Sequence, residues 1–331
     1  MQFVTDAPKL DAAEKHFRIP GTADGMQLFL RYLPARVSPD GGQMVVLYVH
    51  GGTFPSALSI AHRFDGRSWR DALAAAGFDV WGLDFHGFGA SDPYPEMSDA
   101  AERNPVLGGA ATASDQLERA ARFICAQQNV ARISLIAHSW GAIVAGRFAG
   151  RCPELVERLA FFGPVTWRPR RADPQRFPAW RLVSLQDQWD RFTADVPAGE
   201  APVLSQRLFN EWGEIYLDSD ADSRTRTPPS VKIPSGPWQD IANAWAGDLA
   251  YDPSLIRVPV ALIRGEWDSF ATDADTKWLF DALRASHPRR DVKVARATHL
   301  MHLEENRYAL YREAISFLHG DDVPQDSTRT R

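Results

Sequence analysis

The chain has 331 residues, of which 44% are hydrophobic and 24% charged, and 37 basic against 42 acidic side chains leave a formal net charge of −5. A core of normal size can be buried, so no disulfide or metal staple is needed, and the length suits one large α/β domain or two small ones. The mild acidity argues against a nucleic-acid binder, which carries a basic face or stripe.

The first residues, MQFVTDAPKLDAAEKHF, are polar and charged, with no apolar run behind a basic start, so no signal peptide is expected. The most concentrated apolar run, Met44 to Val49, is too short to span a membrane. Cys125 and Cys152 form neither a C-x-x-C nor a zinc-like arrangement, and two free thiols in a chain of this size suit a cytoplasmic location.

Short apolar runs then alternate with amphipathic stretches. MVVLYVH (44–50), FDVWGLDFHG (78–87), RISLIAHS (132–139), RLAFFGPV (158–165), VPVALIRGEWD (258–268) and DVKVARATH (291–299) read as buried strands. Continuous apolar strands belong to parallel sheets covered on both faces. Helical patterns lie between them: RSWRDALAAAGF, SDQLERAARFICAQQNV with Ser114 as its N-cap, WGAIVAGRFAGR, TDADTKWLFDALRASH and NRYALYREAISFLHG. The alternation predicts a doubly wound, mostly parallel α/β sheet built from 1–166 and 252–319.

Residues 167–251 break the pattern and read as helices and loops without strands, an inserted and mainly helical cap with its own small core. Six of the 11 tryptophans fall there: Trp167, Trp180, Trp189, Trp212, Trp238 and Trp245. Tryptophans in such an insertion either build its core or line a substrate cavity beneath it. The polar end from 320 to 331 reads as a disordered tail.

The segment SLIAHSWGAIVAG runs an apolar strand through His138-Ser139-Trp140-Gly141 straight into a helix. A serine on that sharp turn projects its hydroxyl above the sheet edge, toward the N–H groups of a helix N-terminus. Small neighbours are needed because the turn is crowded, and here the pattern is A-x-S-x-G, with Ala137 at the first position. A hydroxyl needs a base within hydrogen-bond reach, and the base needs an orienting carboxylate. Asp268 follows VALIRG past a Gly265 turn, with Glu266 as a nearby alternative. His299, read as the first residue past the last strand, is the preferred base. His302 is the alternative base, otherwise a half-buried neighbour bonded to Glu304 or Glu305. Upstream, His50-Gly51-Gly52-Thr53 ends a strand, and an N–H near Gly52 with that of Trp140 would form an oxyanion hole. His50 itself is expected to make a structural hydrogen bond. Thr53, Phe54, Trp167, Trp189, Trp212 and Trp238 are the candidate substrate-contacting residues. With no G-x-G-x-x-G, Walker loop or H-E-x-x-H, neither a cofactor nor a metal is expected.

The pieces VHGG (49–52), DFHGFGASD (84–92), AHSWG (137–141), RGEWD (264–268) and THLMHLEENR (298–307) resemble the α/β-hydrolase superfamily from about Gln27 to His319. The resemblance implies Ser139 as nucleophile, Asp268 as acid, His299 as base with Glu304 five residues on, and residues 167–251 as the cap. Superfamily members that open epoxides or remove halides use an aspartate nucleophile, which the serine argues against. The implied reaction is hydrolysis of a small-molecule ester or lactone, with no nucleic-acid or membrane partner. Ser-Trp-Gly after His-Gly-Gly also resembles proline iminopeptidases, which continue the glycines as G-G-P-G where this chain has Gly51-Gly52-Thr53-Phe54. HGGTFPS with a Trp-rich cap resembles bacterial esterases that open macrolide lactones. A non-catalytic small-molecule binder of the same fold is the alternative of another class.

Overall fold

The computed structural model describes residues 7–37, 42–170 and 173–320. Two strands, β1 (Lys15–Pro20) and β2 (Gln27–Leu33), come first. Strand β3 (Met44–Val49), helix α1 (Trp69–Ala75), strand β4 (Phe78–Asp84) and helix α2 (Ala110–Gln128) follow. Strand β5 (Ile133–His138), helix α3 (Trp140–Arg151) and strand β6 (Val156–Phe162) come next. The insertion after β6 contains β7 (Trp180–Ser184), α4 (Leu185–Thr193), α5 (Gln206–Leu217), β8 (Ser230–Pro234) and α6 (Gly236–Trp245). The chain returns through β9 (Val260–Gly265), α7 (Asp273–Ala282), β10 (Arg289–Val294) and α8 (Arg307–His319).

Eight strands form one sheet in the order β1-β2-β4-β3-β5-β6-β9-β10. Pairings from β4 through to β10 are parallel, and only β1–β2 and β2–β4 are antiparallel. Parallel strands need crossover helices, and these cover both faces. Strand β3 shows the consequence. Val45, Leu47 and Val49 enter one core with Leu117 and Ile124 of α2 and Ile143 of α3. Val46 and Tyr48 point the other way, toward Leu73 of α1 and Leu310 and Phe317 of α8. The period of two divides one apolar run between two cores. The chain leaves β3 toward β4 on one side and comes back to β5 on the other. In open α/β sheets such a switch marks the region beyond the C-terminal strand ends, here those of β3 and β5, as the usual place for a site.

Strands β1 and β2 were not anticipated from sequence, because charge interrupts them. Arg31 of β2 is buried, and its Nη1 donates to the buried Glu14 carboxylate at 2.7 Å. Arg70 of α1 donates to the same carboxylate at 2.6 Å, and His16 of β1 contacts it at 2.5 Å. The α2 cap is also corrected. The helix starts at Ala110 behind Gly109, so Ser114 lies buried inside it. The carboxylate of Asp240 in α6 supplies the missing cap by accepting the Ala110 N–H at 2.7 Å. The insertion contains strands after all. WRLVS of β7 and SVKIP of β8 pair as an antiparallel ribbon, from positions too far apart in sequence to show a hairpin pattern. Gly320 ends α8 in the left-handed conformation at φ 82°, and the rest of the expected disordered tail lies outside the described residues. Among the described residues, no helix is long and apolar enough to cross a membrane.

Burial pushes the Glu14 carboxyl up, but His16, Arg31 and Arg70 outweigh that and hold it at about 2, against an ordinary 4.5. A depressed acid stabilises the fold above its unfolded value. That contribution of about 3 kcal/mol is lost as pH falls from about 4.5 through about 2. Glu14→Gln leaves two buried guanidinium groups short of an anion, and the expected cost is about 3–5 kcal/mol. Urea denaturation at neutral pH measures it, and a variant within 1 kcal/mol of wild type would show that the network does not anchor β1 and β2.

Candidate active site

The fully buried strand β5 ends at His138, and α3 begins at Trp140. Between them Ser139 takes φ 55° and ψ −120°, a conformation that side chains other than glycine rarely adopt. The turn is held from three sides. Ser139 N–H donates to Phe162 O at 3.2 Å, and Ser139 O accepts the N–H of Ala142 at 3.0 Å and of Val165 at 3.4 Å. Gly141 explains the last position of the motif: a Cβ there would sit 2.5 Å from His50 O and 2.8 Å from Val49 O. Only glycine lets α3 start so close to the end of β3.

Strand β9 ends at Gly265, the chain turns through Glu266 and Trp267, and Asp268 Oδ1 accepts the N–H groups of Phe270 at 2.8 Å and Ala271 at 3.1 Å. The carboxylate faces His299, whose Nδ1 is 3.0 Å from Oδ1 and 3.1 Å from Oδ2. Because a carboxylate only accepts, Nδ1 carries the imidazole proton. Nε2 is then an acceptor, 2.8 Å from Ser139 Oγ. Ser139, Asp268 and His299 are all buried, at 5%, 4% and 3% exposure. Glu266 faces elsewhere, accepting the Arg296 N–H at 2.9 Å.

Strand β10 ends at Val294, so His299 lies inside the following loop and not at its first position as read from sequence. The structure brings His299 to the serine through contacts, not through its distance from the strand. His302 lies behind it, buried against Phe54, His138 and Phe162, and neither ring nitrogen has a hydrogen-bond partner among the described residues. The expected bond from His302 to Glu304 or Glu305 is absent. Glu304 accepts the Thr298 N–H at 2.9 Å and also the Thr298 hydroxyl. Burial lifts the Glu304 carboxyl to about 7 and, with the nearby His299 and His62, drops His302 to about 3.

Three contributors were missed in sequence. His138 is neutral, held well below its ordinary range by burial, then by His302 and His299. Its Nε2 is 3.0 Å from the His299 carbonyl oxygen and fixes the backbone of that loop. Gly163 sits at φ 52°, where a Cβ would be 3.0 Å from Asp268 Oδ2 and 3.1 Å from His299 Nδ1. The Phe270 ring packs 4.7 Å from the His299 ring. No sequence pattern marks these positions, since their roles follow from strands that meet only in the fold.

The Gly51-Gly52 turn runs beside the serine. A Cβ on Gly51 would be 3.5 Å from Ser139 Cβ, and one on Gly52 would be 3.9 Å from Trp140 Cβ. The Trp140 N–H opens α3 and has no acceptor within its own helix. His50 takes a structural position: Phe85 N–H donates to its Nε2 at 3.2 Å, and its Nδ1 meets Gly51 O at 2.6 Å.

The candidate substrate residues divide. Trp238 and Trp245 pack edge-on against Phe270, at 6.2 Å and 4.9 Å, and so lie one ring away from His299. Arg191 of α4 stacks its guanidinium 4.3 Å from the Phe270 ring and pairs with Asp195 at 2.7 Å. Thr53 lines a cavity of about 520 Å³ with Tyr94, Met97, Val231, Lys232 and Ile233. Phe54 and Trp212 pack together in the interior, and the Trp212 indole donates to Leu58 O at 2.9 Å. Trp189 packs on Phe209 inside the insertion, and Trp167 stacks on Trp278 of α7. Among the described residues, no group of three or more metal-ligating side chains could hold an ion.

A family model described as the alpha/beta hydrolase fold matches residues 45–306. No curated protein matches the chain. Among solved structures, the thioesterase domain from the curacin biosynthetic pathway superposes with a TM-score of 0.59 at 16% identity, over 93% of this chain and 99% of that one. An esterase from Exiguobacterium antarcticum gives 0.59 at 16% identity, over 91% and 98%. An epoxide hydrolase mutant from Vigna radiata gives 0.57 at 14% identity, over 93% and 99%. At such identities the likeness shows a shared fold.

Gly141→Ala forces α3 away from the His50 carbonyl. The expected loss is about 1–3 kcal/mol of stability, read as a lower urea midpoint, and an unchanged midpoint would mean that the turn has slack.

Proposed function

The chain belongs to the alpha/beta hydrolase fold family, and on that premise we propose that it is a serine hydrolase cleaving a carboxylic ester or lactone through an acyl-enzyme. One observation carries the proposal: His299 Nε2 stands 2.8 Å from Ser139 Oγ while Asp268 occupies the other ring nitrogen. In this reading His299 removes the hydroxyl proton as Ser139 attacks the substrate carbonyl. The N–H groups of Gly52 and Trp140 hold the oxyanion, each such donor contributing about 3–4 kcal/mol in the transition state. His299 then protonates the departing alcohol, and water releases the acyl group by the same path in reverse. Asp268 fixes the imidazole tautomer and stabilises the imidazolium. The chemistry needs no cofactor.

A serine in this position favours acyl transfer over the opening of an epoxide, whatever the fold shared with such an enzyme. We read residues 167–251 as a cap over the site. Contact of Trp238 and Trp245 with Phe270 supports this reading, as does the approach of Pro237 to Gly52. The reading includes bulky substrates such as macrolide lactones. A peptidase reading is weaker, because Thr53 and Phe54 depart from the proline iminopeptidase glycine segment. A non-catalytic binder would have no need of a serine, histidine and aspartate in hydrogen-bonded sequence.

A fluorophosphonate probe is expected to label the wild type at one site and to leave Ser139→Ala unlabelled. Persistent labelling of Ser139→Ala would remove Ser139 as nucleophile. His299→Ala should lower kcat by about 10³–10⁶-fold with the fold intact. His302→Ala should cost stability through a lost buried ring and keep most of the activity, and the reverse pattern would exchange their roles. A panel of p-nitrophenyl esters, lactones (a macrolide included), thioesters and N-terminal proline amides identifies the substrate class. Turnover of the amides alone would replace the esterase reading with a peptidase.

A further inference from the structure

The geometry points to Asp240 of α6 as a positioning residue that holds the oxyanion hole in shape, an inference that rests on the acyl-transfer reading of Ser139. The Asp240 side chain is caught between two helix N-termini. Its Oδ2 accepts the backbone N–H of Ala110, the first residue of α2, at 2.7 Å, and the indole N–H of Trp140, the first residue of α3, at 2.8 Å. Trp140 follows the nucleophile directly, and its backbone N–H is one of the two oxyanion donors. The indole is wholly buried and packs edge-on to Phe85 at 5.5 Å. A hydrogen bond at its far end therefore locks the side chain and, through it, the first turn of α3.

The same helix also reaches the other donor. A Cβ on Gly52 would lie 2.8 Å from the Pro237 Cβ, so the first turn of α6 presses on the Gly51-Gly52 turn. Pro237 and Asp240 are three residues apart and share one helix face. The helix is itself pinned: Gly236 N–H donates to Leu107 O at 2.7 Å, and a Cβ on Gly236 would meet the backbone of Gly108 and Gly109 at 2.4 Å. A single element of the insertion thus sets the spacing between the two N–H groups that must converge on one oxygen.

Asp240 is an uneconomical choice for a plain helix cap. Burial pushes its carboxyl up to about 6, against the bonds from Trp140 and Ala110 and the pull of Arg147. A serine at position 109 would cap α2 locally without burying a carboxylate. What a carboxylate from α6 adds is a link between α2, α3 and the insertion. That link acts on the transition state, where the donors must meet a developing charge, and hardly on ground-state binding.

The test is steady-state kinetics on p-nitrophenyl butyrate for wild type, Asp240→Ala, Asp240→Asn, Trp140→Phe and the Trp140→Phe/Asp240→Ala double variant. Fluorophosphonate labelling of the wild type runs alongside. Asp240→Ala should lower kcat by about 10–100-fold with KM within about threefold. Asp240→Asn, whose amide oxygen can accept the same two N–H groups, should recover most of that loss. Trp140→Phe keeps a ring but loses the indole donor, so it should fall as far as Asp240→Ala, and the double variant should fall no further. Wild-type kcat in Trp140→Phe or Asp240→Ala, additive losses, or a loss confined to KM would each overturn the inference. If Asp240→Ala does not fold, Trp140→Phe alone decides. A wild type that takes no label at Ser139 and leaves the ester intact overturns the acyl-transfer reading itself.

Discussion

Ser139 sits at φ 55° and ψ −120°, where an ordinary residue pays about 1–3 kcal/mol of backbone strain. Such a conformation persists only when its surroundings over-determine it. Here the fully buried β5 feeds the turn, β6 takes its N–H through Phe162, and α3 follows without a spacer. Glycine at 141 is the concession that lets the helix start against the end of β3. Because the sheet order switches at β3 and β5, the serine lies at the C-terminal end of the sheet, where the connections to either side diverge. The loops after β3, β9 and β10 carry Gly52, Asp268 and His299 toward the serine and its flanking turn.

The polar groups around the turn are arranged so that few of them compete with His299. Burial keeps His138 and His302 neutral and lifts Glu304 to about 7, while the Thr298 N–H and hydroxyl both donate to its carboxyl. His138 is spent on the backbone carbonyl of His299, and Asp268 on its Nδ1. The nitrogen left over is the one that faces Ser139. Gly163 keeps the space beside this pair open, as any side chain there would push on both Asp268 and His299. From above, Phe270 covers His299 and in turn meets Trp238, Trp245 and Arg191 of the insertion.

The parts legible in the sequence were those governed by local rules. Strands β3 to β6 and β9 announce themselves as largely apolar runs, because both faces of the sheet are covered. Ser139 stands out because a strand runs into a helix around it, and Asp268 follows a strand and a glycine. The parts that stayed hidden depend on pairs distant in sequence. Strands β1 and β2 hide behind Arg31, whose burial makes sense only beside the Glu14 carboxylate. The β7–β8 ribbon joins segments separated by two helices. Ser114 resembled a cap because the true one, Asp240, comes from the far side of the insertion. Tryptophan is an ambiguous letter in either direction: Trp212 is core, whereas Trp238 and Trp245 reach the ring that covers His299.

The central claim is that Ser139 is acylated and that His299 drives both halves of the reaction. Rapid-quench mass spectrometry of the wild type mixed with p-nitrophenyl acetate tests it most directly. The account expects a burst of about one equivalent of p-nitrophenol, matched by an acetyl group on the peptide containing Ser139 that decays at the steady-state rate. Turnover without an adduct, or an adduct on any other residue, would contradict it.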